Sequence, residues 1–483
     1  MRSWAALLTA ACLLLGGCAI RPVQYAGTPA LRCTAPEFAY RLAIDPEAGT
    51  RQPDGAAETL RPTDAQALDA ALERAYKSGN LHPYAPREEA VSNSLLLLSG
   101  GSEDGAFGAG FLSQWGKLRT VNADLQPPPA GQPRKTGLPR FRVVTGISTG
   151  ALQASFAFID DPEALVQSYS IVRERELLRP LVSRGLDDHP VRGAISLARR
   201  GTLATLDPLR GLLDRLLTAP YHGPLGDYPT RIHAIAREAS DNEGNRSLLV
   251  GAVEMDSGDL VVFDLGAYAR AWVAADTLED RPRADALKHC YIEALIASSS
   301  VPIAAAPVFI DGKMFIDGGA RFGVFLRPLD KVFAANRRTD ARGEARDHLF
   351  MLINGTLQVG PQCTLAPCPN PNPRWRFDSL AFRSLSVLIN QSYVASVYWS
   401  RSEGARNGLN PEIARMQPGP QGYLAHRATV ALPGETPREA TCGEWQAEDK
   451  RRDHPLEFHA RYMRCLIDYG RNHPAVTQWA RLE

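Results

Sequence analysis

Three groups of residues in this 483-residue chain have the types and spacing to do chemistry. The first is Ser148 in Gly146-Ile147-Ser148-Thr149-Gly150, preceded by Val143 and Val144 and followed by Ala151, Leu152, Ala154 and Phe156. A β-branched run, G-x-S-x-G and a helix-like segment together read as a nucleophile elbow, in which glycines flank the serine because the sharp turn leaves no room for Cβ atoms. A serine hydroxyl so exposed can attack an acyl carbonyl once a base takes its proton.

The second group lies upstream. An apolar run, Ser94 to Leu98, leads into Ser99-Gly100-Gly101-Ser102-Glu103-Asp104-Gly105 and then a helical pattern through Phe111, Leu112, Trp115 and Leu118. A glycine-rich turn between strand and helix gathers N–H groups that bind negative charge. Phosphate is a poor fit: no Lys-Ser/Thr follows, the spacing is not G-x-G-x-x-G, and Glu103 and Asp104 would repel it. A transient oxyanion fits better, with close helix packing as the structural alternative. The third group is Asp317-Gly318-Gly319, an acid at the end of a short strand, aimed at a cleft; Asp311-Gly312 before it reads as the hairpin turn.

These groups need a scaffold, and the chain supplies strand and helix patterns for one. Asp64 to Lys77 reads as a helix, Val121 to Pro139 as a loop, and Pro162 to Leu217 as helical. Within the last, Leu206, Leu209, Leu212, Leu213, Leu216 and Leu217 form a stripe read as core, or as a lipid-facing cap over the site. Arg231 to Leu265 reads as three strands, beginning with Ile232 to Arg237, and Leu287 to Ser300 as a helix. His348 to Asn354 reads as a core strand, Phe377 to Trp399 as a long amphipathic helix, Ala428 to Leu432 as a strand and Leu456 to Tyr469 as the final helix.

Charge narrows the classes of partner. With 54 basic and 53 acidic residues there is no surplus to attract nucleic acid. Arg2, the apolar run Ala5 to Leu15 and Leu15-Gly16-Gly17-Cys18 resemble a bacterial lipoprotein signal. That resemblance implies removal of residues 1–17, a lipid on Cys18, and residence in the cell envelope at the outer membrane, facing the periplasm. Beyond Cys12 and Cys18, six cysteines remain, which permits disulfides in an exported protein. Cys363–Cys368 is the first pairing expected and Cys442–Cys465 the second. No cysteine or histidine spacing points to a metal.

The glycine loop, the elbow, Ala297-Ser298-Ser299 with Pro302, and Asp317-Gly318-Gly319 occur in an order that resembles the patatin-like phospholipases, from about Leu95 to Gly355. The resemblance implies a three-layer α/β/α hydrolase domain over 91–355; the composition and pattern of the flanks read as an N-terminal tether and docking segment over 18–90 and a C-terminal helical extension over 356–483. The resemblance also implies a Ser148–Asp317 dyad, an oxyanion held by the N–H groups of Gly100 and Gly101, and structural roles for Gly105, Gly146, Gly150, Gly318 and Gly319. It calls for no cofactor and no metal, and for a lipid or acyl-ester substrate cleaved as by a phospholipase A or lysophospholipase. Ser102 stands where the family has a third glycine, and Asp104 where it has a basic residue. Two other readings are a Ser-His-Asp esterase using His348, His426 or His454, and a lipid-anchored scaffold without catalysis.

Overall fold

The computed structural model describes residues 33–35, 37–42, 63–78, 92–119, 137–181, 201–240, 245–326, 347–358, 377–419 and 421–481. The expected signal peptide, the lipidation residue Cys18 and the Cys363–Cys368 pair lie outside them.

The sheet takes strands β1 (Ala39–Leu42), β2 (Ser92–Leu98), β3 (Phe141–Ile147), β4 (Ser247–Glu254), β5 (Leu260–Asp264), β6 (Val308–Ile310), β7 (Lys313–Asp317), β8 (His348–Ile353), β9 (Asn410–Arg415) and β12 (Ala480–Arg481). A separate hairpin pairs β10 (Arg427–Val430) with β11 (Arg438–Thr441). Across the main sheet the order is β1-β5-β4-β3-β2-β8-β9-β12, and β4, β3, β2, β8 and β9 run parallel. Parallel strands are covered on both faces, which is why β3 is buried at every residue. Side chains alternate between the two faces: Leu96, Leu98, Val144 and Leu352 point to one, while Leu95, Leu97, Val143 and Met351 point to the other.

The first face is covered by α2 (Gly105–Leu118), α3 (Thr149–Phe158), α4 (Pro162–Tyr169), α5 (Asp207–Thr218), α6 (Arg231–Glu238), α7 (Leu265–Ala275), α8 (Arg281–Ser298), α10 (Cys442–Arg452) and α11 (Ala460–Arg471). The second carries α1 (Thr63–Ser78), through Leu68 and Leu72, and α9 (Phe377–Arg406), through Val397. The result is the three-layer α/β/α arrangement.

Three readings change. Ile232 to Arg237 is helix α6 and not a strand: Thr230 caps it by accepting the His233 N–H at 3.4 Å, and Ile232 and Ile235 are buried together on one face. The final helix begins at Ala460, not Leu456, because carboxylates take the preceding N–H groups: Glu174 those of Leu456, Glu457 and Phe458, and Glu103 that of His459. The segment read as a helical extension also gives the sheet β9 and β12. Cys442 and Cys465 are bonded, and Cys33 pairs with Cys290, a long-range partner that local spacing did not suggest.

Sheet register brings Asp317 to Ser148. Strand β3 pairs with β4 up to Ile147 opposite Gly251, and there the chain turns away into the elbow. The next β4 residue, Ala252, pairs instead with Asp317 of β7, running antiparallel. The acid therefore occupies the sheet position that the serine has just left.

Candidate active site

Ser148 adopts φ 54° and ψ −127°, a conformation rare for a side-chain-bearing residue, and is buried. Its neighbours must be glycines. A Cβ on Gly146 would lie 2.4 Å from the Gly150 carbonyl, and one on Gly150 would lie 2.3 Å from the carbonyl of Leu98 on β2. The Ser148 N–H donates to Ser298 Oγ at 2.9 Å, and Ser298 Oγ donates to the Gly251 carbonyl at 2.7 Å. Ser299 Oγ donates to the Ser148 carbonyl at 3.3 Å. The paired serines at the end of α8 thus hold the elbow by its backbone.

Asp317 is 3% exposed. Its Oδ1 accepts the Gly319 N–H at 2.6 Å, and its Oδ2 has no hydrogen-bond partner. Burial raises its pKa to about 7; the Ser148 hydroxyl and the Gly319 N–H pull the other way, and the charge of Glu457 adds to the rise. The carboxyl is thus poised to exchange a proton near neutrality. Gly318 packs against the Gly251 carbonyl, where a Cβ would come within 2.5 Å.

The glycine loop lies beside the elbow. Gly101 has φ 152°, and a Cβ there would sit 1.9 Å from the Asn354 carbonyl. Gly100 donates its N–H to the Gly323 carbonyl at 3.3 Å, whereas the Gly101 and Ser102 N–H groups have no acceptor among the described residues. Of the two donors expected for an oxyanion, Gly101 is open and Gly100 is engaged. Gly105 opens α2 against Thr149 and Tyr169, whose hydroxyls hydrogen-bond to each other.

The sequence patterns missed several residues. Asn354, at the end of β8, donates its side chain to the Ser99 carbonyl at 2.7 Å and to Gln153 Oε1 at 3.0 Å, and Gln153 donates to the Gly105 carbonyl at 2.7 Å. This buried network fixes the loop to the elbow helix. Tyr393 of α9 brings its hydroxyl over Gly100 and Gly319, within 1.9 and 2.9 Å of where their Cβ atoms would be. Burial and the nearby Asp317 charge push its pKa well up, so it stays a neutral hydroxyl.

A pocket opens from Ser148. Leu152, Phe156, Leu177, Leu209, Leu213 and Leu216 line its apolar length, and Ser102, Ser148 and Glu457 stand among its polar lining. The leucine stripe of α5 therefore forms a pocket wall as well as core. The histidines weighed for a triad lie elsewhere: His348 meets Glu412 at 3.0 Å, His426 meets Asp468 at 2.8 Å, His454 is exposed, and none lines this pocket.

No curated protein matches the chain. Residues 96–330 match the family model of the patatin-like phospholipases, a family of hydrolases that act on lipid esters.

Proposed function

We propose that this protein hydrolyses carboxylic esters of lipid acyl chains through an acyl-serine, with Ser148 as nucleophile and Asp317 as its base. As Ser148 Oγ bonds to the acyl carbon, its proton passes to Asp317 Oδ2. The carbonyl oxygen becomes an oxyanion, for which the Gly101 N–H, with that of Ser102, is a free donor. Collapse breaks the bond to the alcohol, which leaves with the proton from Asp317. Water then attacks the acyl-serine as it gives a proton to the same carboxylate, and collapse breaks the bond to Ser148 Oγ, which takes that proton back from Asp317 as the fatty acid leaves. A phospholipase A or lysophospholipase reaction is this step with a phosphate-bearing alcohol.

The observation that carries the reading is the sheet register, which sets Asp317 opposite Ala252, one position past the pair made by Ile147, with an unpartnered buried Oδ2. A carboxyl with a solution pKa of about 3.9 is a weak base in water, and its burial here supplies the missing basicity. The apolar pocket provides a place for the acyl chain. A fluorophosphonate ester probe should label Ser148 in the full chain and leave Ser148→Ala unlabelled. Labelling of neither protein would favour a scaffold without catalysis, and equal labelling of both would place the nucleophile elsewhere.

For the N-terminal region we propose a cleaved leader over 1–17 and a lipid on Cys18, with a tether from there to the docked elements β1 and α1 that holds the enzyme at the envelope membrane. Among the described residues no helix is long and apolar enough to cross a membrane. Expression of Cys18→Ala should release the protein from membranes into the soluble fraction; retention would refute the anchor.

A further inference from the structure

The loop residues that depart from the family pattern have partners in the C-terminal segment. Ser102 Oγ donates to the Glu457 carboxylate. Glu103 accepts the His459 N–H at 2.8 Å and its ring nitrogen at 2.9 Å, and Asp104 accepts the Tyr462 hydroxyl at 3.0 Å. Opposite them, Glu174 accepts the N–H groups of Leu456, Glu457 and Phe458 at 3.0, 2.7 and 2.9 Å. The disulfide Cys442–Cys465 ties together the helices on either side of this segment. Glu457 is thereby clamped against the glycine loop, and it lines the pocket that contains Ser148.

We propose that Glu457 sets the alcohol specificity of the Ser148 site, admitting acyl esters of uncharged alcohols and rejecting those whose alcohol carries a phosphate. The inference rests on the Ser148–Asp317 reading. With the acyl chain among the leucines and the carbonyl oxygen at the Gly101 N–H, the alcohol must lie at the polar end of the pocket, against Ser102 and Glu457. Among the described residues, Glu457 is the one charged member of the pocket lining, and none of the described lining residues is a lysine, arginine or histidine. A phosphate placed there meets a carboxylate with no cation among the described lining residues to offset it, and the nearby His459 is held by Glu103. The reach of Glu457 extends to the reaction centre, where its charge helps raise the Asp317 pKa. Rejection by an unpaired like charge is an established route to specificity.

The test compares kcat/KM on monoacylglycerol and on lysophosphatidylglycerol of the same chain length, both in nonionic detergent micelles, with Ser148→Ala as control. The wild-type protein should favour the neutral ester by about tenfold or more, Glu457→Gln should shift that ratio about tenfold toward the phosphate ester, and Glu457→Asp should keep it. A preference for the phosphate ester, or an unchanged ratio in Glu457→Gln, overturns the inference while leaving the hydrolase reading intact. Turnover of neither ester, or turnover that survives Ser148→Ala, overturns that reading and the inference with it.

The unmodified protein gives a second measurement that needs no folded variant. Glu457 is flanked by Ser102, Glu103, Glu174, His459 and Asp317, and burial raises its pKa, with help from the two neighbouring glutamates. Lowering the pH should neutralise it and raise the relative rate on the phosphate ester, while the loss of the Asp317 base divides out because both esters need it. Protonation of His459 acts in the same direction, and the Glu457→Gln series separates the two. A ratio that stays flat with pH overturns the inference.

Discussion

Asp317 carries opposite consequences for activity and for stability, and both follow from its burial. As the proposed base, Asp317 must be ionised to accept the serine proton, so kcat/KM on a neutral ester should rise with pH through about 7 and then level off. Asp317→Asn should cost about 10²- to 10⁴-fold in kcat/KM and remove that limb. For stability the sign reverses. The folded chain holds this proton more tightly than the unfolded chain, so its contribution is intact below the unfolded pKa of about 3.9 and is lost as pH rises through about 7. Asp317→Asn should therefore be more stable than wild type at pH 8, by roughly 2–4 kcal/mol, and the gain should vanish near pH 4. Thermal unfolding at the two pH values decides it; equal stability at pH 8 would refute a strained, buried carboxylate. Ser148 and Asp317 were legible in the sequence because their backbone positions demand glycines beside them. Tyr393 and Glu457 were not, because no local pattern marks a residue that arrives by packing from hundreds of positions away. Asn354 was an intermediate case: a polar residue at the carboxyl end of an apolar parallel strand, where such sheets place their sites, is a readable signal.

At the scale of elements, α5 and α6 show what hydrophobic pattern can and cannot decide. The leucine stripe of α5 announces a buried face, yet period alone does not distinguish a face packed on protein from one packed on a ligand. Leu213→Trp should fill the pocket beside Phe156 and shift the preferred ester toward shorter acyl chains, read as the chain-length profile on p-nitrophenyl esters. An unaltered profile in a folded variant would remove α5 from the acyl site. In α6, the alternation of Ile232, Ala234 and Ala236 imitates a strand, and the cap at Thr230 decides for a helix. The same helix ends in Glu238, buried between Arg140 and Arg246 at 2.8 Å from each. Removing its charge leaves two buried guanidinium groups without that partner, so Glu238→Gln should cost about 3–5 kcal/mol in urea unfolding. A loss under about 1 kcal/mol would mean that water or other acceptors already serve these arginines.

At the scale of the whole molecule, the fold does not end where the family match ends at residue 330. Strand β8 pairs with β2 on one side and with β9 on the other, and its Leu349, Phe350, Met351, Leu352 and Ile353 are all buried. Helix α11 lies along α2, where Phe107 meets Tyr469, and Phe111 meets Trp479 at 5.0 Å. Arg461 joins the segments around the site by ion pairs to Glu435, Asp449 and Asp453. A chain ending after residue 358 would expose β8 as a long apolar edge and strip the aromatic face of α2, the conditions under which edge strands aggregate. Such a chain should elute as aggregate in size exclusion and fail to label with a fluorophosphonate, whereas the chain from residue 33 to 483 should elute as a defined species and react. A monodisperse, reactive fragment would show that the C-terminal region is an accessory. The geometry argues the reverse, since the segment that docks on Ser102, Glu103 and Asp104 completes both the sheet's cover and the wall of the pocket beside Ser148.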